Sequence, residues 1–365
     1  MDSKRFVLAT LSTALRNVKR DLALYLFILI YTVAALGMLS VADGYHLAAH
    51  ALYPKQWTTM FLFLLPTITL SVESAYVIHR FDKRRKLAFR RMFSPTRMAN
   101  LLSGMALLMG LMVFQGSFTS IKNVLPLLNE GFPYDQIQAD IDAAIHFGTD
   151  PWILLHQLAG TEVAKKLIEV NYNIVWFVLC FGTLFYVCTS PRAGAVRTRY
   201  VIMFMLVWVV CGNVIAGLFL SAGPAFYGNV TGDDARFGEM LLFLAGSEPA
   251  QSSAHNFQQY LWSLHETGKA GFGSGISAFP SVHVALITMN ALFAAEGSKK
   301  LGMVAAMYSA IIIVSSVYLG WHYAIDGYAS VISVCIMFAL CKRWLTERGD
   351  STRGIAVAPL TRSIA

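Results

Sequence analysis

The chain has 365 residues, 56% hydrophobic and 14% charged, with a mean hydropathy of +0.54 and a formal net charge of +8. Soluble domains carry about a quarter charged residues, so the composition argues against a water-soluble globule. The positive balance does not indicate nucleic acid either, because the basic residues cluster between apolar runs, which is a signal of membrane topology. No repeat or heptad run is visible, which removes solenoid and coiled-coil readings.

Runs of about 20 apolar residues, the length that crosses a bilayer core, lie near residues 22–42, 57–78, 99–120, 168–188, 200–221, 282–296, 301–320 and 324–341. The sixth and eighth are short or polar at one end. The expected fold class is therefore an all-α polytopic membrane protein with about eight transmembrane helices. Lys4, Arg5, Arg16, Lys19 and Arg20 precede the first run, and no small-residue cleavage site follows a short apolar core. This run is read as a retained helix rather than a signal peptide. Lys55, Lys122, Lys165, Lys166, Arg236 and Lys269 fall on one side of the spans, and the rest of the 29 lysines and arginines fall on the side of the N-terminus. That asymmetry predicts an integral membrane protein with both termini in the cytoplasm. The basic stretch 79–86 then reads as an anchor near anionic lipid, with a specific headgroup site as the sharper alternative.

Two long segments, 121–167 and 222–281, fall on the outer side, which would be periplasmic, extracellular or lumenal. In the first, Ile137, Ile141 and Ile145 recur at helical spacing with Asp135, Gln138 and Asp142 between them. This predicts a helix lying in the membrane interface, serving either as a linker or as a lid over substrate. The second is rich in Gly, Pro, Ser and aromatic residues, notably from Gly271 to Ser277, and holds the sequon Asn229-Val230-Thr231, which matters only in a glycosylating host. The five cysteines, Cys180, Cys188, Cys211, Cys335 and Cys341, lie in or at the ends of apolar runs and read as small buried hydrophobes. Glu73, Asn213 and Asn290, inside spans, read as interhelical hydrogen-bonding groups.

Ionisable residues at the mouths of membrane helices are costly and need a reason. Phe279-Pro280-Ser281-Val282-His283 runs from a glycine-rich loop into an apolar helix. Ser281 is a helix-start residue, and the free N–H groups at Ser281 to His283, with the positive end of the helix dipole, suit a phosphate. A plain helix cap beside a histidine explains the same residues. In Tyr318-Leu319-Gly320-Trp321-His322-Tyr323-Ala324-Ile325-Asp326, His322 and Asp326 share one helix face if helical phase already holds at His322. The carboxylate would then fix the imidazole tautomer and free the other nitrogen for substrate; a purely structural His–Asp pair is the alternative. The charge count puts both motifs at the same membrane face, which favours one shared site.

Together these two motifs resemble the second and third signatures of the type 2 phosphatidic acid phosphatase superfamily, and within it most nearly the branch containing inositol phosphorylceramide synthase. The resemblance covers residues 125–341 and implies a six-helix catalytic core. It divides the chain into N-terminal transmembrane helices with a basic cytoplasmic loop (1–120), a catalytic membrane domain (121–345) and a cytoplasmic tail (346–365). It implies that His322 is the nucleophile forming phosphohistidine, Asp326 its orienting partner, and His283 the acid and base. Ser281 and the amide of Val282 are the implied phosphate donors, although the family usually has glycine at the latter position. Neither metal nor other cofactor is implied.

Departures from the family pattern narrow the reaction. The Lys-x6-Arg-Pro first motif is absent, and Ser315-Ser316 stands where the family has Ser-Arg. Three cations that clamp a phosphomonoester dianion are thus missing from their usual places, and a phosphodiester, with one negative charge rather than nearly two, needs fewer. The expected activity is a lipid phosphotransferase moving a phosphorylated headgroup, such as inositol phosphate, from a phospholipid donor to a lipid acceptor hydroxyl. A lipid phosphate or polyprenyl diphosphate phosphatase is the alternative, and a non-enzymatic transporter or scaffold the reading from another class. Arg236 and Lys269 are candidates to replace the lost charge, or else solvated loop residues. Ser221 to Tyr227 stands where the first motif belongs and makes Tyr227 a candidate for the headgroup pocket, with a helix-ending turn as the plainer reading.

Overall fold

A computed structural model describes residues 3–81, 83–246 and 253–353, with side chains described as far as 344. Within a bilayer every backbone polar group needs an internal partner, and helices supply it; among the described residues every regular element is helical. The helices used below are α1 (Ser3–Arg20), α2 (Leu22–Val41), α3 (Tyr45–Arg80), α4 (Arg85–Met92), α5 (Pro95–Leu128), α6 (Asp135–Ile145), α7 (Pro151–Ala159), α8 (Glu162–Thr189), α9 (Arg197–Leu218), α10 (Ala235–Ala245), α11 (Ala254–Glu266), α12 (Val282–Gly297), α13 (Lys299–Tyr318) and α14 (Ala324–Arg353). Among the described residues seven apolar helical stretches are long enough to cross a membrane, and α12 is a shorter apolar helix. These reproduce the eight predicted spans.

Long α5 is the mast of the bundle. Leu107, Leu108, Leu111 and Phe114 are fully buried along it, with α1, α2 and α8 packed on its sides. The apolar run suggested an end at residue 120, yet the helix continues to Leu128. Its extra turns are held where α3 begins: Ser120 Oγ accepts the Ala49 N–H at 2.9 Å and Asn123 Nδ2 donates to the Leu47 carbonyl at 2.9 Å. On the other side, α12 and α13 form a hairpin against α14, with α8 and α9 closing the core. Buried Asp21 pairs with Arg197 at 2.6 Å, joining the starts of α2 and α9. Of the polar groups read as interhelical, Glu73 pairs with Arg97, Asn213 with Tyr31, and Asn290 with Tyr200 at 2.7 Å.

The segment before the first span is itself helical, and α1 exposes Val7, Leu8, Leu11 and Leu15 along one side. The expected tail from 346 begins inside α14, which runs to Arg353; residues 354–365 lie outside the described residues.

Candidate active site

The site begins with the way α14 starts. His322 lies two residues before the helix, so the expected sharing of a helix face does not hold. Asp326 instead reaches back from the first turn, and its Oδ2 accepts the His322 Nδ1 and the Tyr323 backbone N–H, each at 3.1 Å. This is the reach-back half of a capping box, and it fixes the ring through a carboxylate that is itself fully buried. An ionised carboxylate can only accept, which assigns the hydrogen to Nδ1 and the lone pair to Nε2.

A second carboxylate supports the same turn from outside. Asp142 on α6 accepts the N–H groups of Ala324 at 3.1 Å and Ile325 at 3.0 Å, amides that a helix start leaves without intrahelical partners. Asp135, two turns earlier, accepts the amides of Ala222 at 2.6 Å and Gly223 at 2.8 Å and the Tyr323 hydroxyl at 2.8 Å. Burial pushes its pKa up to about 6 against the pull of those three donors. The amphipathic helix expected here is present, but it is neither linker nor lid. Ile137, Ile141 and Ile145 are exposed while Asp135, Gln138 and Asp142 face inward; α6 is a brace with its polar side toward the protein.

The start of α12 is tied to that of α14. Ser281 Oγ accepts the Val284 N–H at 3.4 Å as the helix cap, and the Ser281 N–H donates to the Asp326 carbonyl at 3.3 Å. Ser330 Oγ lies 2.9 Å from the Ser281 carbonyl and 2.6 Å from that of Asp326. His283, one residue into α12, stacks on Trp176 (ring centroids 4.0 Å apart) and on Tyr172 (4.7 Å), both from α8. Trp176 Nε1 donates to the His283 carbonyl at 2.9 Å, so the backbone is held as well as the ring.

His283 and His322 open onto one cavity of about 220 Å³, whose wall also includes Val282, Trp321, Ala222 and Phe226. Ser281 is fully buried behind that wall, engaged in its cap. One further polar group in the wall was missed by the sequence reading. Lys122, counted there only as an outer-side charge, enters from the last turns of α5, its stem packed against Gly275. A Cβ at Gly275 would stand 2.8 Å from Lys122 Cγ, and the backbone there has φ +91°, so glycine lets the loop close over the lysine. Burial, and then the charge of Lys122, push the His322 pKa down to about 3. The imidazole is therefore neutral at pH 7, as a nucleophile must be. The signal available in the sequence was a lysine two residues past an apolar span, a position that more often marks a membrane interface.

The three other candidates lie elsewhere. Arg236 forms a bidentate pair with Asp150 (3.0 Å to each oxygen), reaches Asp140 at 2.6 Å and donates to the Ala139 carbonyl at 2.8 Å. It fastens α10 to α6 and to the start of α7. Tyr227 is buried beside it, its hydroxyl 3.5 Å from Arg236 Nη1 and its ring edge-on to Phe237. Neither belongs to the cavity wall, because their acidic and aromatic partners hold them in the scaffold. Lys269 lines a smaller neighbouring pocket that shares Leu261, Gly275 and Ile276 with the cavity. The turn at Ser221 to Tyr227 does shape the site: Ala222 and Phe226 line it, and the Ala225 N–H donates to the Gly320 carbonyl at 2.8 Å.

Residues 137–340 match the family model described as PAP2 superfamily. The chain belongs to the PAP2 superfamily. Its membership points to a phosphatase or phosphotransferase of the membrane, and both histidine motifs fall inside the matched PAP2 segment, whereas Lys122 and Asp135 precede it. No curated protein and no solved structure was found to match the chain.

Proposed function

We propose that this PAP2 protein is a lipid phosphotransferase that accepts a phosphorylated headgroup from a phosphodiester lipid on His322 and passes it to a lipid hydroxyl. The observation carrying this reading is the charge of the cavity. Among the described residues lining it, Lys122 is the one lysine or arginine. One ammonium matches the single negative charge of a phosphodiester, whereas a phosphomonoester near neutral pH carries nearly two. Phe226, Phe257, Leu261 and Ile276 supply apolar wall for the lipid portion. Inositol phosphate is the headgroup we put first, on the likeness of the two motifs to the inositol phosphorylceramide synthase branch, with ceramide or diacylglycerol as acceptor. The lysine and arginine asymmetry supports cytoplasmic termini and a cavity on the opposite face.

In the first half-reaction His322 Nε2 attacks phosphorus, and the bond from phosphorus to the diacylglycerol oxygen breaks. His283 supplies the proton that makes that oxygen a hydroxyl. The phosphorus now bears the headgroup ester and a P–N bond to His322, and Asp326 stabilises the ring through Nδ1. In the second half-reaction His283 takes the proton of the acceptor hydroxyl as its oxygen attacks phosphorus, and the P–N bond breaks to return neutral His322. Lys122 and the first amides of α12 face the charge that develops on the phosphoryl oxygens.

The test is incubation of purified protein with phosphatidylinositol labelled in its phosphate, plus ceramide or diacylglycerol. Labelled headgroup should appear on the acceptor, with diacylglycerol released from the donor. Release of label only as inorganic phosphate or a soluble inositol phosphate would replace the transferase reading with hydrolysis.

A further inference from the structure

A second cleft lies at the far end of α5. At 1.5 Å per residue, Arg97 and Lys122 are about 37 Å apart along the helix, more than the roughly 30 Å of a hydrocarbon core. The cleft and the histidine cavity therefore open at opposite ends of the bundle. An outer lobe of about 600 Å³ lies between α3 and α4, with Arg84, Arg91, Arg97 and Arg192 at its walls. An inner lobe of about 280 Å³ continues between α3, α5 and α8 along Leu70, Leu101 and Phe185. Both lobes are lined by Glu73, Met92 and Arg97, so they form one groove with a cationic mouth and an apolar floor.

Among the described residues its charges are not balanced from within. Glu73 is the one acidic residue among those lining either lobe, and Arg97 already pairs with it. Arg84, Arg91 and Arg192 are exposed, with no acidic partner among the described residues. Guanidinium groups gathered at one mouth repel each other unless an anion sits among them, and phosphate oxygens match their donor geometry. The floor has room for a chain: at Gly182, which lines the inner lobe, no atom lies within 4 Å of where a Cβ would stand.

We infer that this groove binds one anionic glycerophospholipid from the leaflet on the side of the basic loops. The headgroup phosphate lies among Arg84, Arg91 and Arg192, and an acyl chain runs past Gly182. The site is separate from the cavity of His322 and does not depend on the reaction proposed for it.

Native mass spectrometry of the detergent-solubilised full chain, titrated with phosphatidylserine or with phosphatidylcholine, tests this. One phosphatidylserine should bind saturably and in preference to phosphatidylcholine. Binding should fall at least tenfold in R84Q/R91Q/R192Q and in G182F, which blocks the floor and leaves the charges intact, and should persist in H322A. Loss in H322A with retention in the arginine variant would place the lipid in the catalytic cavity and overturn the proposal. So would full displacement by millimolar inorganic phosphate, which would mark a site for a free anion, or an unaltered affinity in G182F.

Discussion

The carboxylate of Asp142 accepts the backbone N–H groups of both Ala324 and Ile325, at 3.1 and 3.0 Å. A side chain 182 residues upstream of Ala324 thus caps the helix that carries Asp326, and it does so in the interior of the protein. Asp142→Ala should leave two buried donors unmet, at about 1–3 kcal/mol for a group left unsatisfied. We expect a lowered Tm, with kcat falling at least tenfold and KM changing less. Asp142→Asn, which keeps one acceptor, should recover part of both. Thermal unfolding in detergent alongside kinetics checks this, and an unchanged Tm in the alanine variant would remove α6 from its bracing role.

Lys122 can be tested through its neighbour. Its charge is the second cause, after burial, of the depressed His322 pKa, so Lys122→Gln should raise that pKa and leave it governed by burial. A histidine protonated at higher pH is lost as a nucleophile at higher pH; the acid limb of kcat/KM should therefore move toward neutrality. Loss of one donor to the developing phosphoryl charge should also cost about 100-fold or more in kcat. A pH profile that does not shift would mean the lysine acts only in packing.

The same depressed pKa carries a stability consequence. A buried neutral histidine resists protonation in the folded state, so its contribution is present above the unfolded value of about 6.5 and is withdrawn as pH falls from there toward 3. Tm should decline over that window in the parent protein, and His322→Gln should flatten the decline. An equal pH dependence in the two would place the sensitivity in other groups.

His283 should reveal its role through the leaving group. General acid catalysis is worth about 100- to 10,000-fold, but only where the departing oxygen needs a proton. His283→Ala should therefore be severely slowed with a lipid diester and much less so with a p-nitrophenyl diester, whose phenolate leaves unaided. Equal losses on both substrates would reduce His283 to a structural group stacked on Trp176.

Gly223 has φ +98°, and a Cβ there would stand 2.8 Å from the Trp321 carbonyl oxygen and 2.9 Å from Ala278 Cβ. Gly223→Ala should cost about 1–3 kcal/mol through backbone strain and displace the wall beside His322. Activity should fall together with Tm.

The spans and the pairing of His283 with His322 were legible because both rest on local sequence. Apolar length, a Pro-Ser helix start and a His–Asp spacing of four are read along the chain. What failed to show is non-local. A lone lysine past the end of a span looks like an interface residue until the loop bearing Gly275 is folded over it. The period of α6 was readable, but whether its isoleucines or its aspartates face the protein depends on amides at Ala222 and Ala324, far along the chain. Arg236 looked like spare positive charge for substrate because Asp150, 86 residues away, gives no local sign of being its partner. The even spacing of His322 and Asp326 suggested helical phase, whereas the turn actually reaches the same contact by capping.

The extension of α5 beyond its apolar run has a practical consequence. A shortened chain starting at residue 137, where the matched PAP2 segment begins, would retain both imidazoles and Asp326 and lose the ammonium that faces them. The matched segment alone thus lacks part of the cavity wall, and an excised unit that keeps the cavity whole should start ahead of Pro95 so that the mast comes along.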